Sequence, residues 1–263
     1  MEKDRGNKMS TKKLTAIVIV KNEQDKITDC LESLTWCNEV VVVDTGSVDN
    51  TVKIAKSYGA RVIQSKKKSF DEWRNDGLKC ALGEWVLYID ADERVTPDLQ
   101  KEIDLLVNNK KSVINNAFAI PRKNIIFGKE FKFGGEYPDF QKRLFQKKSL
   151  VKWTGKVHEQ PEFKGELRHL TNALIHLKHN NLSDMVKKTN DWSEIEAKLM
   201  FDANHPPMNI PRFISAIARE FWDRMIRKQG FRDGPEGVVY SLYQVFSRLV
   251  SYAKLWEMQE KAK

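Results

Sequence analysis

Residues 85–93 read WVLYIDADE, an apolar run that leads directly into Asp90, Asp92 and Glu93. Side chains this apolar belong inside a fold, whereas acids so closely spaced need water or a cation. The stretch therefore marks a buried strand whose carboxyl end opens on a polar site. Similar runs lie upstream: LTAIVIV (14–20), EVVVVD (39–44) and ARVIQS (60–65) are rich in β-branched residues and have strand length, as does EWVLYID (84–90). Between the first two, Ile27, Cys30, Leu31 and Leu34 recur at helical spacing. Asp49-Asn50-Thr51 opens a second helical stretch that Gly59 ends. Strands alternating with helices predict an α/β fold, with a mostly parallel sheet joined by right-handed crossovers and flanked by helices. Such sheets bind ligands beyond the carboxyl ends of their strands, where Asp44 and Asp90 fall.

The 263 residues suit one large domain or one domain with an appendage, and the net charge of +9 implies an anionic partner. Charge alone does not choose between nucleic acid, a phosphorylated substrate and an anionic membrane surface. The chain has no aromatic-basic RNA-binding consensus and no Cys/His finger spacing, so no specific nucleic-acid partner is expected. The absence of a GxGxxG after a strand and of a Walker loop argues against a dehydrogenase or a kinase. Cys30, Cys37 and Cys80 form no CxxC pair, which disfavours a disulfide framework or a thiolate zinc site. No apolar run reaches the length of a spanning helix. The polar start MEKDRGNKMSTKK lacks the apolar middle of a signal peptide and reads as a disordered tail over 1–13 of a cytosolic protein.

Downstream, Thr96-Pro97 has the form of a helix N-cap, and Leu99, Ile103 and Leu106 continue an apolar face. From 117 to 178 short strands such as AFAIP, KRLFQ and ALIHL alternate with glycine-bearing loops. From about 183 the pattern is helical. Phe213, Ile214, Ile217, Phe221 and Met225 form one stripe; Val238, Leu242, Val245, Phe246, Leu249 and Trp256 form another. The expected organisation is an α/β domain over 14–182 followed by a helical region over 183–263. The stripes are flanked by Arg212, Arg219, Arg224, Arg227 and Lys228, so these helices face a membrane, a second subunit or the catalytic domain.

Asp90 and Asp92 point to the same side if the strand continues through both, and two converging carboxylates call for a positive partner. A hard cation such as Mg²⁺ or Mn²⁺, held by oxygen ligands and phosphate, fits that need. The alternative is that Asp92 and Glu93 only charge the N-terminus of the next helix. Asp44 suits a base or ribose donor, whereas Ser47 and Asp49 suit capping of the helix that follows.

Taken in order, IVIVKNEQDKITDCLESL, VVVDTGSVDNT, WRNDGLKCALGEW and the DXD-like YIDADE resemble the inverting family 2 glycosyltransferases of GT-A, Rossmann-like fold. PRKNIIFGKEF, GGEYPDFQKRLFQ and GKVHEQP continue the resemblance toward the subgroup that contains lipopolysaccharide core glucosyltransferases, over about 14–180. The resemblance implies that Asp44 contacts the nucleotide, Arg74 and Asn75 lie near the donor phosphates or ribose, Asp92 ligates a metal, and Asp90 lies close to ribose or metal. It implies a catalytic base in GGEYPDFQKRLF. The family's adjacent Glu-Asp is absent there, so Glu136 and Asp139, separated by Tyr137-Pro138 and upstream of Arg143-Leu144, both stand as candidates. His158 and Glu159 suit acceptor positioning, proton transfer or an approach to the metal, and His176 suits the metal. The implied partners are a nucleotide-sugar donor, UDP-glucose foremost, and a lipopolysaccharide core or other lipid-linked acceptor. Lys66 to Lys68, Arg122, Lys123, Lys129, Lys132, Lys142, Arg143, Lys147 and Lys148 would favour such an acceptor at an anionic leaflet, with the enzyme peripheral on the cytoplasmic face of the inner membrane. Another nucleotide sugar, a protein acceptor, a non-catalytic sugar-nucleotide module and a homo-oligomer remain open.

Overall fold

The computed structural model describes residues 13–109, 116–155 and 159–262. The expected disordered tail lies, apart from Lys13, outside the described residues. The chain forms two compact units. The first comprises the described residues up to Arg122 together with Phe140–His176; the second comprises Lys123–Asp139 together with the described residues from Leu177 onward. Lys123–Asp139 thus groups with the C-terminal helices.

The first unit begins with β1 (Leu14–Val20), α1 (Ile27–Glu32), β2 (Glu39–Asp44), α2 (Thr51–Ser57), β3 (Arg61–Gln64), α3 (Phe70–Cys80), β4 (Trp85–Asp90), β5 (Glu93–Val95) and α4 (Pro97–Asn108). Next along the chain are β6 (Asn116–Ile126), β7 (Lys129–Glu130, in the second unit), β8 (Asp139–Gln146), β9 (Leu150–Thr154), β10 (Gln160–Phe163), β11 (Glu166–His169) and β12 (Leu174–His179). The strand order is β3-β2-β1-β4-β8-β6-β12-β5. Strands β1 to β4 are mutually parallel, while β8 runs antiparallel to β4 and β12 antiparallel to β5.

Alternation along the central strands feeds two cores. Ala16, Val18, Val20, Leu87 and Ile89 pack with Ile27, Leu31, Ala55, Leu99 and Ile103 of the helices on one face. Ile17, Val41, Val43, Val86 and Tyr88 pack with Leu78, Phe145 and Trp153 on the other. Helix α3 was not apparent from apolar spacing, and its Gly77 shows how closely it approaches the sheet. A Cβ there would lie 2.5 Å from Ile17 Cγ2 and 3.1 Å from Val43 Cγ2. Thr96 Oγ1 accepts from Leu99 N at 3.2 Å and caps α4 as expected.

Register fixes the position of the acids. Val20 pairs with Asp44 and Ile19 with Asp90, so both carboxylates stand at the carboxyl ends of strands flanking β1. The strand does not continue through Asp92: β4 ends at Asp90 and β5 starts at Glu93. The condition for Asp90 and Asp92 to share a side is therefore not met, and the two acids have different partners.

The second unit is built on α5 (Leu182–Asp202), α6 (Ile210–Phe221) with a π-helical continuation Trp222–Arg227, a 3-10 turn Gly230–Asp233 and α7 (Gly234–Lys261). Tyr240, Tyr243 and Met185 pack with Ile126 and Phe131. The buried side of α7 is Tyr240, Tyr243 and Leu255, whereas Leu242, Phe246 and Trp256 of the expected stripe are exposed. Among the described residues no helix is long and apolar enough to cross a membrane.

Candidate active site

At the end of β2, Asp44 is buried and accepts from Ser47 N at 3.0 Å and from Gln64 Nε2 at 2.7 Å. These bonds fix its carboxylate while leaving acceptor capacity for a ligand. The loop beyond it turns through Gly46, whose φ of 107° is open to glycine. Ser47 Oγ accepts from Asn22 N at 2.9 Å, and Asp49 Oδ1 accepts from Thr51 N at 3.0 Å at the start of α2.

The end of β4 carries an ionic cluster. Glu93, fully buried, accepts from Asp90 N at 3.0 Å, Arg122 Nη1 at 3.2 Å and Arg143 Nη2 at 2.6 Å. Glu93 is therefore no surface charge at a helix terminus. Arg143 also donates to Asp90 Oδ2, and Arg74 Nη2 lies 3.5 Å from Asp90 Oδ1. Burial alone would raise the Asp90 carboxyl, but Arg143 and then Arg74 hold it well below the usual carboxylate range. Burial likewise opposes charge on Arg143, and Asp90 with Glu93 pushes its guanidinium further toward the protonated form. Arg74 donates to Glu159 Oε1 at 2.9 Å and lies 4.7 Å from the centre of the Trp153 ring. The amide of Asn75 clamps the backbone of Trp153, with bonds of 2.8 Å in each direction. Arg74, Arg143, Trp153 and Glu159 line a cleft of about 250 Å³. The buried Nε of Arg143 has no hydrogen-bond partner among the described residues.

Asp92 meets a different partner. Antiparallel pairing of β12 with β5 sets His176 opposite Glu93, and His176 Nε2 lies 3.6 Å from Asp92 Oδ2. Burial would raise the Asp92 carboxyl, yet the neighbouring His176 holds it below its ordinary value. One carboxylate and one imidazole suit Mg²⁺ or Mn²⁺ as a partial ligand set. Among the described residues no group of three His, Cys, Asp or Glu could hold a metal. The remaining ligands would have to come from a bound phosphate and water.

In the second unit Glu136 is buried and heavily partnered: Lys178 Nζ at 2.7 Å, Tyr240 OH at 2.9 Å, Asn124 Nδ2 at 3.1 Å and Arg224 Nη1 at 3.6 Å. Asp139, half-buried at the head of β8, accepts from Asn124 Nδ2 at 3.3 Å.

The first unit thus brings together Arg74, Asp90, Glu159, Asp92 and His176 among the expected residues and keeps Asp44 at the end of β2, across β1 from Asp90. The second unit holds Glu136 and Asp139, and His158 lies outside the described residues. Sequence reasoning missed the Glu93–Arg143–Arg122 centre. Arg143 and Arg122, grouped by sequence with the basic residues expected to favour an anionic acceptor, are both paired with Glu93. The available signal was alternation in β8, where Arg143 shares a face with the core residue Phe145.

Residues 15–164 match the family model described as glycosyl transferase family 2. The chain is 27% identical over 269 residues to an uncharacterized glycosyltransferase of Rickettsia conorii, covering 98% of this chain and 94% of that protein. It is 23% identical over 254 residues to the lipopolysaccharide core biosynthesis glycosyltransferase LpsC of Rhizobium meliloti, covering 93% of this chain and 92% of the relative. Among solved structures, S. aureus TarS 1-349 in complex with UDP-GlcNAc is similar at 16% identity and a TM-score of 0.48, over 95% of this chain and 92% of that one.

Proposed function

The chain belongs to glycosyl transferase family 2, and from that premise we propose an inverting, metal-assisted hexosyltransferase that moves glucose from UDP-glucose to a sugar of a lipopolysaccharide core or another lipid-linked envelope glycan. Its fold is GT-A, a mostly parallel sheet flanked by helices with a helical C-terminal part. The acceptor class is supported by the similarity to LpsC of Rhizobium meliloti. The observation that carries the reading is Asp92 beside His176 at the polar end of the sheet, next to the Asp90, Arg143 and Arg74 cluster.

In this reading Asp44 accepts from the uridine base or ribose, and Arg74 and Asp90 hold the ribose-diphosphate side of the donor. Asn75 positions the cleft by clamping Trp153. Glu159 orients Arg74. Asp92 and His176 would hold Mg²⁺ or Mn²⁺, which when bound supplies Lewis-acid neutralisation of the leaving diphosphate. Asp139 takes the proton of the acceptor hydroxyl as its oxygen bonds to the anomeric carbon and the bond from that carbon to the diphosphate oxygen breaks. Asp139 is preferred to Glu136 because Lys178, Tyr240, Asn124 and Arg224 occupy the Glu136 oxygens. The work would be done at the cytoplasmic face of the inner membrane, where nucleotide sugars and lipid-linked acceptors meet.

The test is a panel of nucleotide sugars assayed for binding, hydrolysis and transfer to lipopolysaccharide core acceptors, with Mg²⁺, Mn²⁺ or chelator. Metal-dependent transfer from UDP-glucose is the expected result. Transfer from another nucleotide sugar would overturn the donor assignment, and full activity in chelator would overturn the metal role.

A further inference from the structure

Helix α6 and its π-helical continuation expose an apolar face that its own unit leaves uncovered. Phe213 and Ala216 turn inward, Phe213 packing on the cluster formed by Ala197, Met208 and Leu255. At about 100° per residue, Ile210, Ile214, Ala218, Phe221 and Trp222 fall together on a different side. There Ile210 is 75% exposed, Ile214 62% and Trp222 63%, and Phe221 and Ile226 are also exposed. A helix that packs only against its own unit would turn such residues inward.

The edge of this face is basic. Exposed Arg212 and Arg219 lie along it, while Glu220, the acid of α6, faces Arg224 and Arg248. Between the arginines is a cleft of about 280 Å³ lined by His205, Arg212, Ser215, Arg219 and Tyr252, with no carboxylate in its lining. Arg212 spends one N–H on Pro207 O at 2.8 Å and keeps others for a ligand.

We propose that this face docks on an anionic lipid bilayer, with Ile210, Ile214, Phe221 and Trp222 entering the boundary between headgroups and acyl chains and Arg212 and Arg219 receiving a lipid phosphate. An amphipathic helix with Trp, Phe and Ile on one side and arginines along the edge has the composition of an interfacial helix. Charge favours lipid over a second copy of this chain, since self-pairing of this face would bring its own arginines together. The inference rests on the membrane location proposed above and is carried by α6 and its cleft, whatever the sugar or acceptor, so vesicle binding and donor transfer can fail separately.

The experiment is co-sedimentation of the full chain with vesicles of phosphatidylcholine alone and of phosphatidylcholine with phosphatidylglycerol. Sedimentation is expected with the anionic vesicles and not with the neutral ones, and it should weaken as salt is raised. Replacing Ile214 and Trp222 together by serine should reduce partition by about ten-fold or more. Arg212→Gln with Arg219→Gln should reduce it by about five-fold per charge. Because all four side chains are exposed, the variants should keep the wild-type melting temperature and donor hydrolysis. A second readout is a blue shift of tryptophan emission on anionic vesicles that is lost in Trp222→Phe. The proposal is overturned if the wild type fails to sediment with anionic vesicles, if it binds neutral vesicles equally, or if the serine variant binds undiminished. A dimer that the serine variant dissociates, in a protein that ignores vesicles, would assign the face to a second copy and overturn it too.

Discussion

His176 Nε2 lies 3.6 Å from Asp92 Oδ2, although Asp92 belongs to the turn after β4 and His176 to β12. The pairing of β12 with β5 creates this proximity, because it sets His176 opposite Glu93. An acid whose strand neighbour is committed to arginines is thereby given an imidazole partner of its own.

Removing either member should weaken cation binding before it harms the fold. Asp92→Asn and His176→Ala are each expected to lower Mn²⁺ affinity by at least roughly 10-fold, and transfer at subsaturating metal with it. Calorimetric titration of Mn²⁺ in the presence of UDP reads the affinity directly. Unchanged Mn²⁺ binding in both variants would remove the pair from the metal role.

Glu93 and Arg143 form a fully buried ion pair at 2.6 Å, and truncating one partner strands the other in a medium of low polarity. Arg143→Met should cost about 3 to 5 kcal/mol in urea denaturation. Replacing both Arg143 and Glu93 by apolar residues should recover part of that loss, because the remaining buried charge is removed as well. A single variant as stable as the wild type would show that the cluster contributes nothing to folding.

Asp90 makes a pH prediction with a definite sign. Its folded carboxyl is depressed, with burial opposing the shift and Arg143 and Arg74 driving it. The stabilisation is therefore fully present above the unfolded value of about 3.9 and is lost as pH falls from there toward the folded value. Melting temperature should fall below about pH 4 in the wild type, and Asp90→Asn should flatten that dependence. An equally steep decline in the variant would assign acid sensitivity to other carboxylates.

The parts of the fold legible in the sequence were those that local pattern dictates. Strands β1, β2 and β4 are buried on both faces and so read as continuous apolar runs, of which β2 and β4 end in acids. Thr96-Pro97 announced α4 because capping chemistry is local. Helix α3 was hidden by its polar composition and by Gly77, whose reason is tertiary. The Asp92 and His176 proximity depends on an antiparallel register that no spacing encodes. In the C-terminal helices spacing allowed more than one apolar side, and α7 buries Tyr240 and Tyr243 while leaving Leu242 and Phe246 exposed.

Gly77 turns that reading into a stability test. In an open helix Gly→Ala would gain about 1 kcal/mol. Here the new methyl would meet Ile17 Cγ2 at 2.5 Å and Val43 Cγ2 at 3.1 Å, so Gly77→Ala should destabilise by about 1 to 3 kcal/mol. In an Ile17→Ala background the same change should cost less, since the obstructing methyl is gone. Equal costs in both backgrounds would mean that α3 shifts freely on the sheet.

Glu136 and Asp139 should separate cleanly, because their surroundings differ. Glu136 is enclosed by Lys178, Tyr240, Asn124 and Arg224, so Glu136→Gln weakens several interactions that join Lys123–Asp139 to the helices of the second unit. Its expected effect is a lower melting temperature, with turnover per folded molecule reduced only modestly. Asp139 is half-buried at the head of β8, where its Oδ2 accepts from Asn124 Nδ2 at 3.3 Å. Asp139→Asn should fold and bind UDP as the wild type does, while kcat for transfer falls by about 10²- to 10⁴-fold. If Glu136→Gln instead abolishes turnover with its stability intact and Asp139→Asn remains active, the roles are reversed, and the cations around Glu136 tune a base rather than anchor a loop.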